Sequence, residues 1–385
     1  MDITLQPGKL SGKVTVPPSK SIAHRMLICA AFADRATSLL CADTSEDIDA
    51  TAGCLRALGA NILRTDTGFT IHPIKRIPEY ADLYCRESGS TLRFLLPIVG
   101  ALGVNGTFRM EGRLPQRPLS PLWEEMERMG CILSRPRDGI IRCSGKLRPG
   151  AYQMDGSVSS QFISGLMMAL PLINGKTDLK IIGNVESGPY IDMTRQVMKL
   201  FSQDHPNPLT VEGDWSNAAF WLAAKALGSN IELCGLKEGS VQGDKAATYW
   251  LPKLCEKVTI SAKNIPDLIP VLSVVAAANK GAAFTDVTRL RLKESDRVSA
   301  IIAMLTSLGG KAEATEDTLT VYGTGLHGGT VSAFHDHRIA MSAAIAATVC
   351  KDSVTVLGAE CINKSYPTFW KEYARLGGNY EKQLR

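Results

Sequence analysis

The chain has 385 residues, 45% of them hydrophobic and 21% charged, with a formal net charge of +5. That length exceeds one ordinary core and points to two domains of globular composition. The mild basic excess suits a small anionic ligand and excludes the strongly basic stripe expected of a nucleic-acid binder.

In chain order, MDITLQPGKL lacks a basic start followed by an apolar run, so no signal peptide is expected. It holds a first strand, ITLQPG, that could pair with either half. The next stretch, VPPSKSIAHRMLICAAFA, begins with two prolines that stop the chain. Ile22, Met26, Leu27, Ala30 and Ala31 then recur at helical spacing, with Ser19 placed to cap. Lys20 and Ser21 fall in the first turn, where free N–H groups and the helix dipole attract anions. Arg25 lies one turn on, on the face of Ser21. Basic residues at a helix N-terminus oppose the dipole unless they face an anion, and this conflict marks the stretch as functional.

The same logic recurs. In RESGSTLRFLLP, Gly89 lets backbone approach a ligand while Ser88, Ser90 and Thr91 can cap the helix carrying Arg93. The longest apolar run follows, FLLPIVGALGV (94–104), well short of the roughly 18 residues of a membrane span. In GSVSSQFISGLMMALPL, residues Ser159, Ser160 and Gln161 open an apolar helix as a small polar nest. ESGPYIDMTRQVM adds Ser187 and Tyr190 before another helix. SQDHPNPLTVEGD (202–214) is polar and Pro-rich and reads as a linker. In NIPDLIPVLSVVAAA, Asp267 enters an apolar helix, either as an N-cap or as a general base. RLRLKESDRV holds four basic and two acidic residues. FHDHRIAMSAAIAATV sets Asp336, His337 and Arg338 before an Ala-rich helix, and no further ligand pair supports a metal there. CINKSYPTFW places Lys364 in a loop before a helix. The ten cysteines include no C-x-x-C pair and are expected as reduced core thiols of a cytoplasmic protein.

A repeat runs through the chain. Short extended runs start at Ala36, Gly106, Lys176, Ser229, Gly281 and Asp352, at spacings of 70, 70, 53, 52 and 71 residues. Helix tails ending at Gly59, Gly130, Gly309 and Gly378 precede strand starts. Six units of helix, strand and turn follow, three per domain. The third and fourth are shortened near 202–210 and 243–258.

Taken in order, PPSKSIAHR, ESGSTLRF, QRPLSPL, SSQFISGLMMALPL, SGPYIDMT, IPDLIPVL, LKESDR, DHRIAM and NKSYP resemble the motif series of the EPSP synthase (3-phosphoshikimate 1-carboxyvinyltransferase) family, from end to end. The resemblance implies an α/β fold of two similar domains, 14–209 and 1–13 plus 210–385. Each would hold three βαβαββ-type units in an inside-out α/β barrel, with the active site in the cleft between domains. It implies enolpyruvyl transfer from phosphoenolpyruvate to the 5-hydroxyl of shikimate 3-phosphate by addition and elimination, with no metal or organic cofactor. Lys20, Asp267 and Glu294 would be catalytic. Lys20, Ser21, Arg25, Ser159, Ser160, Gln161, Ser187, Tyr190, Asp267 and Lys293 would bind shikimate 3-phosphate. Lys20, Gly89, Arg117, Gln161, Arg297, Arg338 and Lys364 would bind phosphoenolpyruvate. The expected partners are these small molecules alone, with no nucleic acid or membrane, and the chain is expected to be a monomer.

The chain departs from the family pattern at Glu87-Ser88-Gly89, where many members read Asn-Ala-Gly, at Phe94 in place of proline, and at Arg289 in place of asparagine. These positions bear on sensitivity to glyphosate more than on the reaction. A sister enzyme acting on UDP-N-acetylglucosamine commonly carries a cysteine in the loop matching EGRLPQRPLSP, which has none here. A non-catalytic repeat scaffold would have no reason to retain Asp267, Glu294 and Lys20 together. A nucleic-acid end-processing relative would bind RNA ends in a salt-dependent way.

Overall fold

The structure, a computed structural model, describes residues 1–383. It opens with β1 (Asp2–Leu5) and β2 (Ser11–Thr15). There follow α1 (Lys20–Ala31), β3 (Thr37–Leu40), α2 (Glu46–Ala57), β4 (Asn61–Thr65) and β5 (Gly68–His72). Next come β6 (Tyr80–Arg86), α3 (Gly89–Leu102), β7 (Asn105–Met110), α4 (Leu122–Arg128), β8 (Cys131–Arg137) and β9 (Ile140–Gly145). Then β10 (Gly150–Asp155), α5 (Ser160–Ala169), β11 (Thr177–Ile182), α6 (Gly188–Phe201) and the short β12 (Leu209–Thr210). The chain continues with α7 (Trp215–Ala226), β13 (Asn230–Cys234), α8 (Ala247–Trp250), β14 (Val258–Ser261), α9 (Ile269–Ala278) and β15 (Gly281–Thr285). It ends with α10 (Arg297–Ser307), β16 (Lys311–Ala314), β17 (Thr318–Tyr322), β18 (Gly329–Ser332), α11 (His337–Ala347), β19 (Val354–Leu357), α12 (Phe369–Arg375) and β20 (Tyr380–Gln383).

The six extended runs of the repeat are β3, β7, β11, β13, β15 and β19. Each pairs in parallel with the strand that starts its sheet, as β7 does with β6 and β15 with β14. Four sheets add two antiparallel strands, in the orders β12-β3-β5-β4, β6-β7-β9-β8, β14-β15-β17-β16 and β18-β19-β1-β20, the last drawing β1 and β20 from the two ends of the chain. The other two, β10-β11 and β2-β13, stop at the parallel pair. These are the shortened units. Among the described residues the sheets are separate and none closes on itself, so the expected barrel is not formed by strand hydrogen bonding.

The chain divides into two compact units, residues 18–212 and residues 1–17 with 213–385. ITLQPG belongs to the second, because β1 lies between β19 and β20. The segment read as a linker is partly structured: Leu209–Thr210 pairs with β3. Gly59, Gly130 and Gly309 have positive φ after their helices, but in the last tail the left-handed residue is Gly377, not Gly378. Gly378 is pressed against the Tyr373 ring.

Helices fill the interior of each unit. In the discontinuous unit α11 is buried along its whole length and α9 nearly so. Their alanines let the two axes approach closely. Trp221 of α7 stacks on Phe369 at 4.9 Å between centroids and donates Nε1–H to the Tyr366 hydroxyl at 3.3 Å. In the unit 18–212, α3 lies against α5 at Gly165, where a Cβ would come within 2.3 Å of the Arg93 carbonyl oxygen. Only glycine permits that approach, and it brings the N-terminal turns of α3 and α5 together. No described helix is long and apolar enough to cross a membrane.

Candidate active site

In the unit 18–212 the candidate residues gather at the starts of α1, α3, α5 and α6. Ser19 holds the N-cap position of α1 with extended backbone, but its hydroxyl makes no capping hydrogen bond. Lys20, in the first turn, pairs with Asp47 of α2 at 3.0 Å. Arg25 is buried and joins three helices. Its Nε–H donates to Thr194 Oγ1 at 2.7 Å, and its Nη groups donate to the Ser21 carbonyl at 2.7 Å, the Tyr190 carbonyl at 2.9 Å and Ser164 Oγ at 3.3 Å. Burial lowers the Arg25 pKa to about 10, with nearby Tyr190 and Cys29 opposing. The guanidinium therefore stays charged among these neutral hydroxyl and carbonyl partners.

Behind it, His24 is fully buried, and burial together with Lys20 and Arg25 pushes its pKa well below the ordinary value. Its neutral ring bonds Thr51 at 2.7 Å, Thr51 bonds Thr91 at 2.7 Å, and Thr91 donates to Ser88 at 2.7 Å. This hydroxyl chain ties α1 and α2 to the start of α3, where Ser88 also accepts from the Thr91 amide at 3.2 Å.

Gln161 bridges α5 and α3. Its Oε1 accepts from Arg93 Nη1 at 2.8 Å and its Nε2–H donates to Ser90 at 3.0 Å. Gly89 lies under two guanidinium groups, for an added Cβ would sit 2.8 Å from Arg117 Nη1 and 3.1 Å from Arg93 Nη1. Ser159 caps α5 by accepting from the Gln161 amide at 3.3 Å. Ser187 holds the N-cap position of α6 in a left-handed conformation, φ 56° and ψ 42°, without a capping hydrogen bond from its side chain, and is buried. That backbone is costly for serine and is held by the surrounding packing. Glu87 is turned onto Gly112, where an added Cβ would meet its carboxyl at 2.4 Å.

In the unit formed by 1–17 and 213–385, Asp267, Lys293, Glu294, Arg297 and Arg338 converge. Asp267 precedes the helix start by two residues and does not cap it; α9 begins at Ile269 with Leu268 at the N-cap position. One Asp267 oxygen accepts from Arg297 Nη1 at 2.6 Å and the other from Arg338 Nη2 at 2.8 Å, with Lys293 Nζ at 4.0 Å. Burial alone would raise the Asp267 pKa, but Arg338, Lys293 and Arg297 outweigh it and hold the carboxyl well below the usual range. Burial lowers the Lys293 pKa to about 8 against the pull of Asp267.

Arg297 is buried and spends its fork on three carboxylates: Asp267, Glu294 at 2.6 Å and Asp336 at 2.8 Å. Asp336 is the N-cap of α11, accepting from the Arg338 amide at 3.0 Å and from Ser295 Oγ at 3.0 Å. The central residue of the H-D-H cluster thus serves the arginines. Lys364 ends a 3-10 turn at 359–364 and donates to the His335 carbonyl at 2.9 Å, beside that cap.

Asp336, Arg93, Ser164, Thr194 and Asp47 hold these groups; the sequence points to Asp336 and Arg93 without giving them this role, and does not point to Ser164, Thr194 or Asp47. Asp244 is buried and accepts from Ser216. Burial and the charge of Asp267 raise its pKa to about 7, with Arg338 and Ser216 opposing. A Q-G-D tripeptide in a shortened unit gave no signal of this; only the fold brings it near the ion cluster.

Two units of α/β architecture, each with basic groups gathered at helix starts, define the class of the fold. Solved structures share this fold: an EPSP synthase from Acinetobacter baumannii, 23% identical with a TM-score of 0.80, covering 99% of this chain and 100% of that one, and the enolpyruvyl transferase NikO from Streptomyces tendae, 17% identical with a TM-score of 0.76, covering 100% and 99%. The sequence profile of EPSP synthase (3-phosphoshikimate 1-carboxyvinyltransferase) matches residues 5–373. Curated 3-phosphoshikimate 1-carboxyvinyltransferases from Clostridium kluyveri and Clostridium beijerinckii are 35% and 37% identical, each over 99% of this chain and 98% of their own length. The chain belongs to the EPSP synthase family.

Proposed function

We propose that the chain transfers the enolpyruvyl group of phosphoenolpyruvate to the 5-hydroxyl of shikimate 3-phosphate, releasing phosphate, as a transferase of the shikimate pathway to aromatic amino acids. The observation that carries this reading is Asp267 held between Arg297 and Arg338. Both arginines are suited by their planar forks to phosphate and carboxylate oxygens. An incoming phosphoenolpyruvate competes for them. As it draws the forks away, Asp267 loses the charges that suppress its basicity and becomes able to accept a proton. The base is thus armed by the arrival of the co-substrate.

The assigned steps balance. Asp267 takes the 5-hydroxyl proton as oxygen attacks C2 of phosphoenolpyruvate, and Lys20 or Glu294 delivers a proton to C3. A tetrahedral intermediate results. Loss of phosphate and of a C3 proton restores the double bond. Arg117, Arg297, Arg338 and Lys364, with Lys20, Gln161 and the Gly89 backbone, are assigned to phosphoenolpyruvate. Ser159, Ser160, Ser187, Gln161, Ser21, Lys20, Arg25, Tyr190, Asp267 and Lys293 are assigned to shikimate 3-phosphate. Holding both in register supplies a large part of the rate, and the scheme requires neither metal nor organic cofactor. The proposed setting is cytoplasmic.

Phosphate release is the test, run with phosphoenolpyruvate and either shikimate 3-phosphate or UDP-N-acetylglucosamine. Release dependent on shikimate 3-phosphate supports the reading. Release only with the nucleotide sugar transfers the chain to the sister activity, and silence with both sinks the proposal.

A further inference from the structure

The two sheets that stop at a parallel pair leave their second strands with bare edges. In complete units the second strand pairs with an antiparallel hairpin strand, as β7 does with β9 and β15 with β17. The alignment with the Clostridium kluyveri relative runs over 419 positions against 385 residues here. After α6 the chain passes through 202–208 directly into β12, and no described strand pairs with β11 except β10. Strand β11 also lacks cover. The inward rows of β7 and β15 contain fully buried residues. In β11 Thr177, Leu179 and Ile181 are only half-buried, and no residue is fully buried. Ile182 and Val185 beside it are 41% and 37% exposed. An open edge with apolar side chains invites another strand.

We propose that the β11 edge pairs antiparallel with β11 of a second copy of this chain, about a two-fold axis at Leu179. Faces match only in registers that set residues of the same parity opposite each other. Centred on Asp178 or on Lys180, the pairing would oppose like charges. Centred on Leu179, it sets Asp178 opposite Lys180 twice and Thr177 opposite Ile181 twice. Opposite charges and β-branched side chains in directly opposed positions stabilise a sheet. The interface is isologous, as a two-fold dimer requires. The other bare edge has no such complementarity. In β13 the exposed charge is Glu232, already paired with Lys13 of its own sheet at 3.0 Å. Each same-face register of β13 with itself sets Glu232 against Glu232, Asn230 or Cys234.

Sedimentation velocity of the full chain over a concentration series tests this. The expected mass moves towards twice 41.5 kDa as concentration rises. Asp178→Lys and, independently, Lys180→Asp return it to the monomer. Asp178→Lys combined with Lys180→Asp restores the dimer. Neither residue belongs to the assigned site, so phosphate release by each variant reports that it is folded. A monomer at every concentration, the expectation from sequence, overturns the proposal. So does a dimer that survives both single substitutions, or a charge-swapped chain that stays monomeric.

Discussion

The two units hold their most buried arginines, Arg25 and Arg297, in different ways. In 18–212, Arg25 is anchored by hydroxyls and carbonyls, and Arg93 by the Gln161 amide oxygen and the Pro118 carbonyl at 3.2 Å. The Arg25 charge is fixed in place by neutral groups, whereas Lys20 of the same unit is paired with Asp47 at 3.0 Å. In the discontinuous unit, Arg297 and Arg338 are bound to Asp267, Glu294 and Asp336, and their charge is largely spent. The first arrangement suits permanent anion binding. The second suits acid–base work, because an anion that takes an arginine changes the basicity of the carboxylate it leaves.

The largest test of this difference is Asp267→Asn. It keeps the shape and removes the base, so kcat should fall by roughly 10²–10⁴-fold with the KM for phosphoenolpyruvate little changed. Near-normal turnover would remove Asp267 from the mechanism. Next, the buried arginines should differ in stability cost. Arg297→Met strands Asp336, whose side chain is fully buried, and should cost about 3–5 kcal/mol in denaturant unfolding. Arg25→Met strands only neutral oxygens, and Thr194 still donates to Ser164 at 2.8 Å, so about 1–3 kcal/mol is expected. Equal costs would erase the distinction between the two anchoring modes.

A smaller effect is expected at Gly89. Gly89→Ala pushes a methyl group at the Arg117 and Arg93 forks and should raise the KM for phosphoenolpyruvate roughly tenfold, leaving the melting temperature nearly unchanged. The smallest concerns pH. The folded-state pKa of Asp244 is raised from its ordinary 3.8 to about 7, so the folded state binds the proton more tightly than the unfolded chain. Its contribution is fully favourable below about pH 3.8 and is lost as pH rises through about 7. Asp244→Asn should flatten the fall in stability across that window, as followed by thermal melts. An unchanged slope would place the titration elsewhere.

Much of this was legible in the sequence because periodicity and punctuation are local. The six extended runs, the helices opening at Lys20, Gly89 and Ser160, and the glycines after α2, α4 and α10 could each be read from a dozen residues. Gly377 was missed because two adjacent glycines offer the same freedom, and packing against Tyr373 decides between them. The candidate cluster around Asp267 was found through its motifs. The sequence marks Asp336 but not its bond to Arg297, and gives no sign of Asp244, since each is joined to the cluster only by tertiary contact. Arg25 shows the reverse: the sequence marks it for an anion, while the fold also makes it a tie between α1, α5 and α6.

The strand order has a consequence for how the chain is made. Unit 18–212 is continuous and can complete its contacts once residue 212 has been synthesised. The first seventeen residues cannot. Ile3 of β1 awaits Val356 and Lys382, and β2 awaits Asn230–Cys234. Strand β1 therefore finds its neighbours last, with a folded body already tethered between them. That body shortens the effective loop to be closed. The order of synthesis makes the middle of this chain a scaffold on which its two ends are joined.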